Sequence, residues 1–423
     1  MPQIIPIRGI RYTPKAGSFD DLLAPPYDVI TPSQQAALGA RSPYNAVHLE
    51  LAPGGEERYA RVAALFNTWQ DGGLLARDEL PMLYLYEQTF AEGGRECQRR
   101  ALIAGVEAQP WDEGAVRPHE FTMSGPKEDR LKLLEATRIQ LSPVFMVARD
   151  RAGQLRQFLD ETMASRPPDL EAQAREGDRH RLWLVEAGRL EMRRLAPLLS
   201  ESFTIADGHH RYETAVTYKQ RRLAEGALER DHPARFALTA IVPADDPGLI
   251  IRPIHRVVAR PAPADWQARL SAHLSIEEVS LASSTSLEHL LETAAPGAMV
   301  ALGLTPGRTH LLRPRDSSVF ASLAPRGRSE AWTRIPPNLC RHGVLEPLWG
   351  VSDADLAAGA VEYTHDAAEV WGRATDGACA FLLQPVSVQD TIALADAGER
   401  MPQKSTFFHP KLGTGLVFHP LYP

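Results

Sequence analysis

Phe203-Thr204-Ile205-Ala206-Asp207-Gly208-His209-His210-Arg211-Tyr212 is the stretch that decides the fold. Phe203 to Ala206 form a short apolar run of strand type. Asp207-Gly208 breaks it. Past the glycine, Tyr212, Ala215, Val216 and Leu223 recur at helical spacing, so His209, His210 and Arg211 fall in a helix's first turn. That position has a chemical use. The first N–H groups of a helix have no partner inside it, and the helix dipole adds partial positive charge there. Together they attract phosphate. Arg211 adds a possible bidentate contact, two imidazoles add donors, and Gly208 lets backbone approach a ligand closely. The plain alternative is that Asp207 caps the helix and the histidines sit nearby.

Outward from this turn the pattern mixes strands and helices. Tyr84-Leu85-Tyr86 and Ala101-Leu102-Ile103 flank Glu92-Gly93-Gly94, a hairpin signal. Pro143 to Val147 and Leu182 to Val185 are short apolar runs. Gly188 to Leu199 has helical spacing, with Leu190, Leu195, Leu198 and Leu199 on one side. Ser165-Arg166-Pro167-Pro168, the polar run Glu176 to Arg181, and Pro261-Ala262-Pro263 read as joints, and Arg313 to Arg328 as a surface loop. Past Pro263, helices are expected at Trp266 to Leu274, Ser284 to Thr293, Asp366 onward and Val388 to Ala395. Strands are expected at Ile276 to Val279, Met299 to Leu304, Thr309 to Leu312 and Ala380 to Leu383. The class is α+β; an orderly doubly wound sheet is not evident.

Other stretches carry chemistry. Pro25-Pro26-Tyr27-Asp28-Val29-Ile30 leads into Thr31-Pro32, a helix start; Asp28 is either a ligand contact or part of a rigid turn. Asn45 to Leu51 alternates and reads as a strand, with His48 and Glu50 on one face. His119 and Glu120 precede Lys127, Glu128, Asp129 and Arg130; such a cluster suits proton transfer and charge stabilisation. It lacks the second histidine of a zinc-protease helix. Near the C-terminus, Lys404-Ser405-Thr406 has a lysine followed by two hydroxyls, and Lys411 follows Pro410. Without the preceding glycines it is not a Walker loop.

Ala206-Asp207-Gly208-His209-His210-Arg211 resembles the signature turn of the ParB/sulfiredoxin superfamily, and in particular that of its free-serine kinases. The resemblance implies a mixed ParB/sulfiredoxin-like core with additional α+β lobes, and a turn that binds nucleotide phosphates. Sulfiredoxins carry a cysteine in this turn; the present turn has none, so their reaction is not implied. No convincing helix-turn-helix follows, as one does in DNA-partitioning ParB proteins. The Pro-Pro-Tyr-Asp-Val-Ile, His-Glu-x-Thr, Asp-Gly-His-His-Arg-Tyr-Glu-Thr-Ala and Met-Pro-x-Lys-Ser-Thr segments together resemble a widespread family of bacterial and archaeal proteins. That likeness spans nearly the whole chain and informs fold more than chemistry. Three parts are expected: an N-terminal lobe (1–165), the ParB/sulfiredoxin-like core (166–262), and a C-terminal lobe (263–423) ending in the Lys-Ser-Thr segment.

Composition narrows the functions. The chain has 423 residues, 44% hydrophobic and 23% charged, with a net charge of −7, which disfavours nucleic acid as partner. The three cysteines are far apart and suggest neither disulfides nor zinc. No apolar run is long enough for a membrane span, and a cytoplasmic location is expected. The leading expectation is a nucleotide-dependent phosphotransferase using ATP or ADP with Mg2+ on a small hydroxy metabolite such as serine. Asp207, His209, His210, Glu120 and His119 are the catalytic candidates. Gly208, Arg211, Lys404, Ser405, Thr406 and Lys411 are the nucleotide contacts, and no protein metal site is expected. A phosphoester hydrolase and a non-catalytic nucleotide-binding module are the alternatives. The sequence leaves the oligomeric state open.

Overall fold

The computed structural model describes residues 3–122, 124–174, 177–280, 283–316 and 321–423, with backbone only for residues 124–126. Contacts divide the chain into two compact units. Unit 1 comprises Met1–Pro118, Thr122–Ile250 and Pro410–Pro423; unit 2 comprises His119–Phe121 and Ile251–His409.

Unit 1 is built on a mixed nine-stranded sheet. Its strands are β1 (Ile4–Ile5), β2 (Met82–Glu92), β3 (Arg95–Glu107), β4 (Val116–Arg117), β5 (Val144–Ala148), β6 (Leu170–Gln173), β7 (Arg179–Glu186), β8 (Phe203–Asp207) and β9 (Phe236–Pro243). The spatial order is β4-β8-β5-β9-β3-β2-β7-β6, with β1 also on β3. The β4–β8 and β5–β9 pairs are parallel and the others antiparallel. The β2–β3 hairpin turns where the glycines place it. Gly93 and Gly94 take φ of 55° and 75°, the paired positive values of a two-residue turn matched to strand twist, and Tyr86 faces Ala101 across the ladder.

Helices α1 (Glu57–Asp71), α2 (Ser124–Thr137), α3 (Gln154–Ser165) and α4 (His209–Glu225) belong to unit 1. Alternate residues of the strands, such as Leu83 and Leu85, Leu102 and Ala104, and Phe203 and Ile205, form one core cluster with Leu155 and Phe158 of α3 and Tyr212 and Ala215 of α4.

Unit 2 carries a six-stranded antiparallel sheet. Its strands are β10 (His255–Val258), β11 (Leu274–Val279), β12 (Met299–Leu302), β13 (Thr309–Pro314), β14 (Glu362–Thr364) and β15 (Cys379–Leu383), in the order β11-β13-β12-β15-β10-β14. Helices Ser284–Thr293 and Ala367–Thr375 start at Ser283 and Asp366, whose side chains accept from first-turn N–H groups. The protein is therefore of mixed α+β class. No helix among the described residues is long and apolar enough to cross a membrane. Cys97, Cys340 and Cys379 are free thiols.

Several local expectations change. Asn45 to Leu51 is not a strand: Val47–Glu50 is a single helical turn. Asn45, fully buried, donates from Nδ2 to the carbonyls of Asp21 and Leu23 and accepts from Val47 N–H, so its amide fixes a turn that the alternating pattern conceals. Glu50 is buried there. The helix read at Gly188 to Leu199 stops at Leu195, and a 3-10 turn, Ala196–Ser200, follows with Pro197 in its first turn. Leu195 and Leu198 are buried, but Leu190 is 67% exposed. Arg179 to Arg181 open β7 instead of a joint, and Glu176 lies outside the described residues. Arg313 and Pro314 end β13; residues 317–320 of the expected loop also lie outside them.

Candidate functional site

The turn at Asp207 is a strand that runs into a helix through one left-handed residue. The ladder between β8 and β5 shifts register between Ile205 and Asp207, a bulge that re-aims the end of the strand. Gly208 follows at φ +85° and stands at the N-cap of α4 with no side-chain cap. Asp207 does not cap the helix. Its Oδ2 accepts from Arg211 Nη2 at 2.6 Å, and its Oδ1 pairs with Lys411 Nζ. Arg211 Nη1 donates to the Pro143 carbonyl. A Cβ on residue 208 would stand 2.9 Å from the Arg211 guanidinium carbon, so glycine is required here both for its φ and for the side chain lying over it.

Charges organise this cluster. Burial alone would push the Asp207 carboxyl up. Lys411 and Arg211 outweigh it and hold the group at about 2. The His210 imidazole is lowered as well: burial is the main cause, with Glu213 and Asp28 pulling in the opposite direction. The Arg211 guanidinium lies in the field of Asp28, Tyr27 and Glu50 as well as Asp207. The Pro-Pro-Tyr-Asp segment thus reaches the central turn. Tyr27, pushed up to about 12 by burial, lies under the Arg130 guanidinium at 4.2 Å. One helical turn further along α4, Glu213 accepts from Trp111 Nε1 at 2.9 Å and pairs with Lys127 at 2.9 Å. Lys127 also donates to Thr122 Oγ1 at 3.3 Å.

Lys411 arrives from 204 residues beyond Asp207, and buried polar groups fix its backbone. Arg99, only 1% exposed, donates from Nη2 to Gln88 Oε1 and to the Pro410 carbonyl, both at 2.6 Å. Gln88 Nε2 donates to the Lys411 carbonyl at 3.1 Å and to Asp178 at 2.9 Å. Arg99 and Gln88 face each other across the β2–β3 ladder. They were missed as site residues. The available signal was slight: Arg99 sits in the polar run Arg95 to Arg100, and only its phase, shared with Ala101 and Ile103, marks it as inward.

His119, Glu120, Lys404, Ser405 and Thr406 form a second constellation, within unit 2. His119 is wholly buried. Glu120 Oε1 accepts from Ser405 N–H at 3.1 Å, Thr406 N–H at 2.9 Å and Thr406 Oγ1 at 2.9 Å. Since the single Thr406 hydroxyl proton goes to Glu120, the 2.8 Å contact between His119 Nε2 and Thr406 Oγ1 requires Nε2–H to be the donor. Met401 N–H donates to the His119 carbonyl, and Ser405 Oγ to the Pro402 carbonyl. Lys404 takes φ of 59°, so the segment turns sharply at that residue. The structure therefore brings Lys411, Asp28 and Lys127 to the central turn and groups the Lys-Ser-Thr segment with His119 and Glu120.

These features define an α+β protein with a glycine-initiated helix turn under a cluster of cations. Residues 4–335 match the family described as "Protein of unknown function (DUF1015)", and the chain belongs to that family. No curated protein matches it. Among solved structures it is similar to a free serine kinase variant in complex with ADP, at 12% identity and a TM-score of 0.37, covering 74% of this chain and 92% of that one. It is also similar to SbnI with a C-terminal truncation from Staphylococcus aureus, at 11% identity, a TM-score of 0.37, and 75% and 87% coverage. A conserved hypothetical protein from Pyrococcus furiosus gives 14%, 0.30, and 73% and 93%. Scores this low fix neither a shared fold nor a shared activity.

Proposed function

We propose that this protein is a nucleotide-dependent phosphotransferase acting on a small hydroxylated metabolite such as serine, with a ParB/sulfiredoxin-like phosphate-binding core around α4. The observation that carries the reading is the turn: left-handed Gly208 opens a 17-residue helix whose first turn bears His209, His210 and Arg211, and Lys411 joins them at Asp207. A helix start seats phosphate through its N–H groups and dipole. In this reading the backbone at Gly208 and His209 holds the phosphates, and Arg211, Lys411 and His209 stabilise charge on the transferred group.

Asp207 sets the positions of both cations. A carboxylate held at about 2 is a weak base, so proton removal falls to another group, and His210, whose burial favours the neutral imidazole, can take it within unit 1. The acceptor oxygen attacks the terminal phosphorus of ATP or ADP. The bond to the bridging oxygen breaks, the shortened nucleotide leaves with the electron pair, and His210 takes the hydroxyl proton. Mg2+ enters with the nucleotide, as part of that substrate, and keeps several waters. For unit 2 the reading keeps Glu120 and His119 as acid–base candidates and Lys404, Ser405 and Thr406 as phosphate contacts.

The test is incubation of purified protein with ATP or ADP, Mg2+ and L-serine, followed by mass spectrometry. Phosphoserine that requires both nucleotide and serine is the expected result. Release of free phosphate without an acceptor would make the protein a hydrolase. ADP binding without turnover would make it a binding module.

A further inference from the structure

We infer that a small pocket beside Arg211, walled by Glu50 and Arg130, receives a hydrogen-bond-donating end, ammonium or hydroxyl, of the small metabolite. The identity of the ligand rests on the phosphotransferase reading; the geometry of the pocket stands apart from it.

Glu50 is 3% exposed. One of its oxygens is committed: Oε2 accepts from Arg130 Nη1 at 2.9 Å. Arg130 in turn is locked. It donates to the Glu50 carbonyl from Nη1 and Nη2 at 3.2 Å each and to Asp129 Oδ2 from Nη2 at 2.6 Å and from Nε at 2.9 Å. Tyr27 lies against its flat face. The other oxygen, Glu50 Oε1, is buried and has no hydrogen-bond partner among the described residues. A buried carboxylate oxygen with no donor is costly, and the rigid Arg130 cannot turn to reach it.

Glu50 and Arg130 line a cavity of about 50 Å³ together with Gln140, Ser142, Arg211 and Thr214. One water requires about 10–15 Å³ of such space, so the cavity takes roughly three or four heavy atoms. A hydroxymethyl or ammonium-bearing carbon fits; a nucleoside does not. The same pair walls a second cavity of about 270 Å³ with Arg58, Tyr59 and Asp129. In that cavity the charges satisfy one another: Arg58 and Tyr59 Oη both donate to Asp129 Oδ1. Glu50 lines both cavities, and its unpaired Oε1 is the acceptor left for a ligand donor in the smaller one. That oxygen accepts from an ammonium or a hydroxyl, which directs an amino or hydroxy acid to place its donor end there. Arg211 is shared by this pocket and the phosphate turn, so the bound donor end lies next to the group that would be transferred.

The experiment is saturation-transfer NMR with L-serine and, separately, glycerate, each with and without ADP, on the wild type, Glu50→Gln and Ser142→Leu. Glu50→Gln keeps the shape and removes the charge. Ser142→Leu fills the pocket and leaves the Glu50–Arg130 pair in place, which guards against a Glu50 variant that fails to fold. Serine is expected to bind the wild type, to weaken at least tenfold in Glu50→Gln, and to be lost in Ser142→Leu, while ADP affinity stays within twofold in both. Serine alone would mark the ammonium as the recognised group; glycerate binding as well would mark the hydroxyl. If the wild type binds ADP but neither metabolite, the pocket holds water only and the inference falls while the phosphate turn stands. Unchanged serine affinity in both variants overturns it equally. If ADP fails to bind while serine behaves as expected, the pocket stands and the phosphotransferase reading falls.

Discussion

Asp207 and Glu120 are both carboxylates at sharp turns, but they are held by opposite means. Asp207 is gripped by two full positive charges, Arg211 and Lys411, and its acidity shifts accordingly. Glu120 is gripped by two backbone N–H groups and a hydroxyl, with a buried histidine behind the hydroxyl. The difference separates two tasks. Cations bound to a carboxylate keep reserve charge for an incoming anion. Backbone donors bound to a carboxylate fix a loop, here the Lys404 to Thr406 turn.

The sharpest way to break this contrast is to remove a cation. Lys411→Met leaves Asp207 with Arg211 alone. Its kcat/KM for phosphoryl transfer is expected to fall about 100-fold or more, with chemical unfolding showing a loss of about 3–5 kcal/mol, as for a buried pair stripped of one partner. A variant with full activity would end the proposed role. Gly208→Ala should rank next. Alanine at φ +85°, with its Cβ against the Arg211 guanidinium, is expected to lower stability by about 1–3 kcal/mol and to weaken ADP binding measured by calorimetry. In unit 2, Thr406→Val takes the hydroxyl from between His119 and Glu120. It should lower unfolding free energy by about 1–3 kcal/mol, and Thr406→Ser should restore most of it.

The last effect is that of pH. Burial depresses His255 in unit 2 and His419 in unit 1 to about 4. Their unfolded values are near 6.5. The unfolded chain binds more protons in between, so the stability these groups contribute is complete above pH 6.5 and declines as pH falls towards 4. Asp207 acts in a lower window: its contribution is present above about 3.9, the unfolded value, and is lost as pH falls through about 2. Thermal melts across pH 3 to 8 should show the upper decline. Asp207→Asn should leave that decline in place, and a variant that abolished it would contradict the assignment.

Local signals were readable in the sequence wherever one segment decides its own structure. The paired glycines at 93 and 94 set the hairpin, and the switch from apolar run to helical spacing at Asp207-Gly208 set the strand, turn and helix. Where a side chain reaches out of its segment, the pattern misled or was silent. Asn45 turns the chain by bonding carbonyls at residues 21 and 23, so an alternating run became a helical turn. Lys411 and Asp207 share no local pattern; their meeting depends on the polar Gln88–Arg99 pair inside the sheet, which periodicity treats as a defect. Glu50 read only as one face of an alternating run, because its partner Arg130 lies 80 residues away.

The lysine that completes the Asp207 cluster has a consequence for timing. At about 5–20 residues added per second, the 204 positions separating Asp207 from Lys411 take about 10–40 s to synthesise. During that interval Asp207 has at most one of its two cations, and α4 can form long before the cluster is charged as it is in the finished protein. If the turn binds phosphate as proposed, that affinity is a late event of biosynthesis, after the helix that presents it.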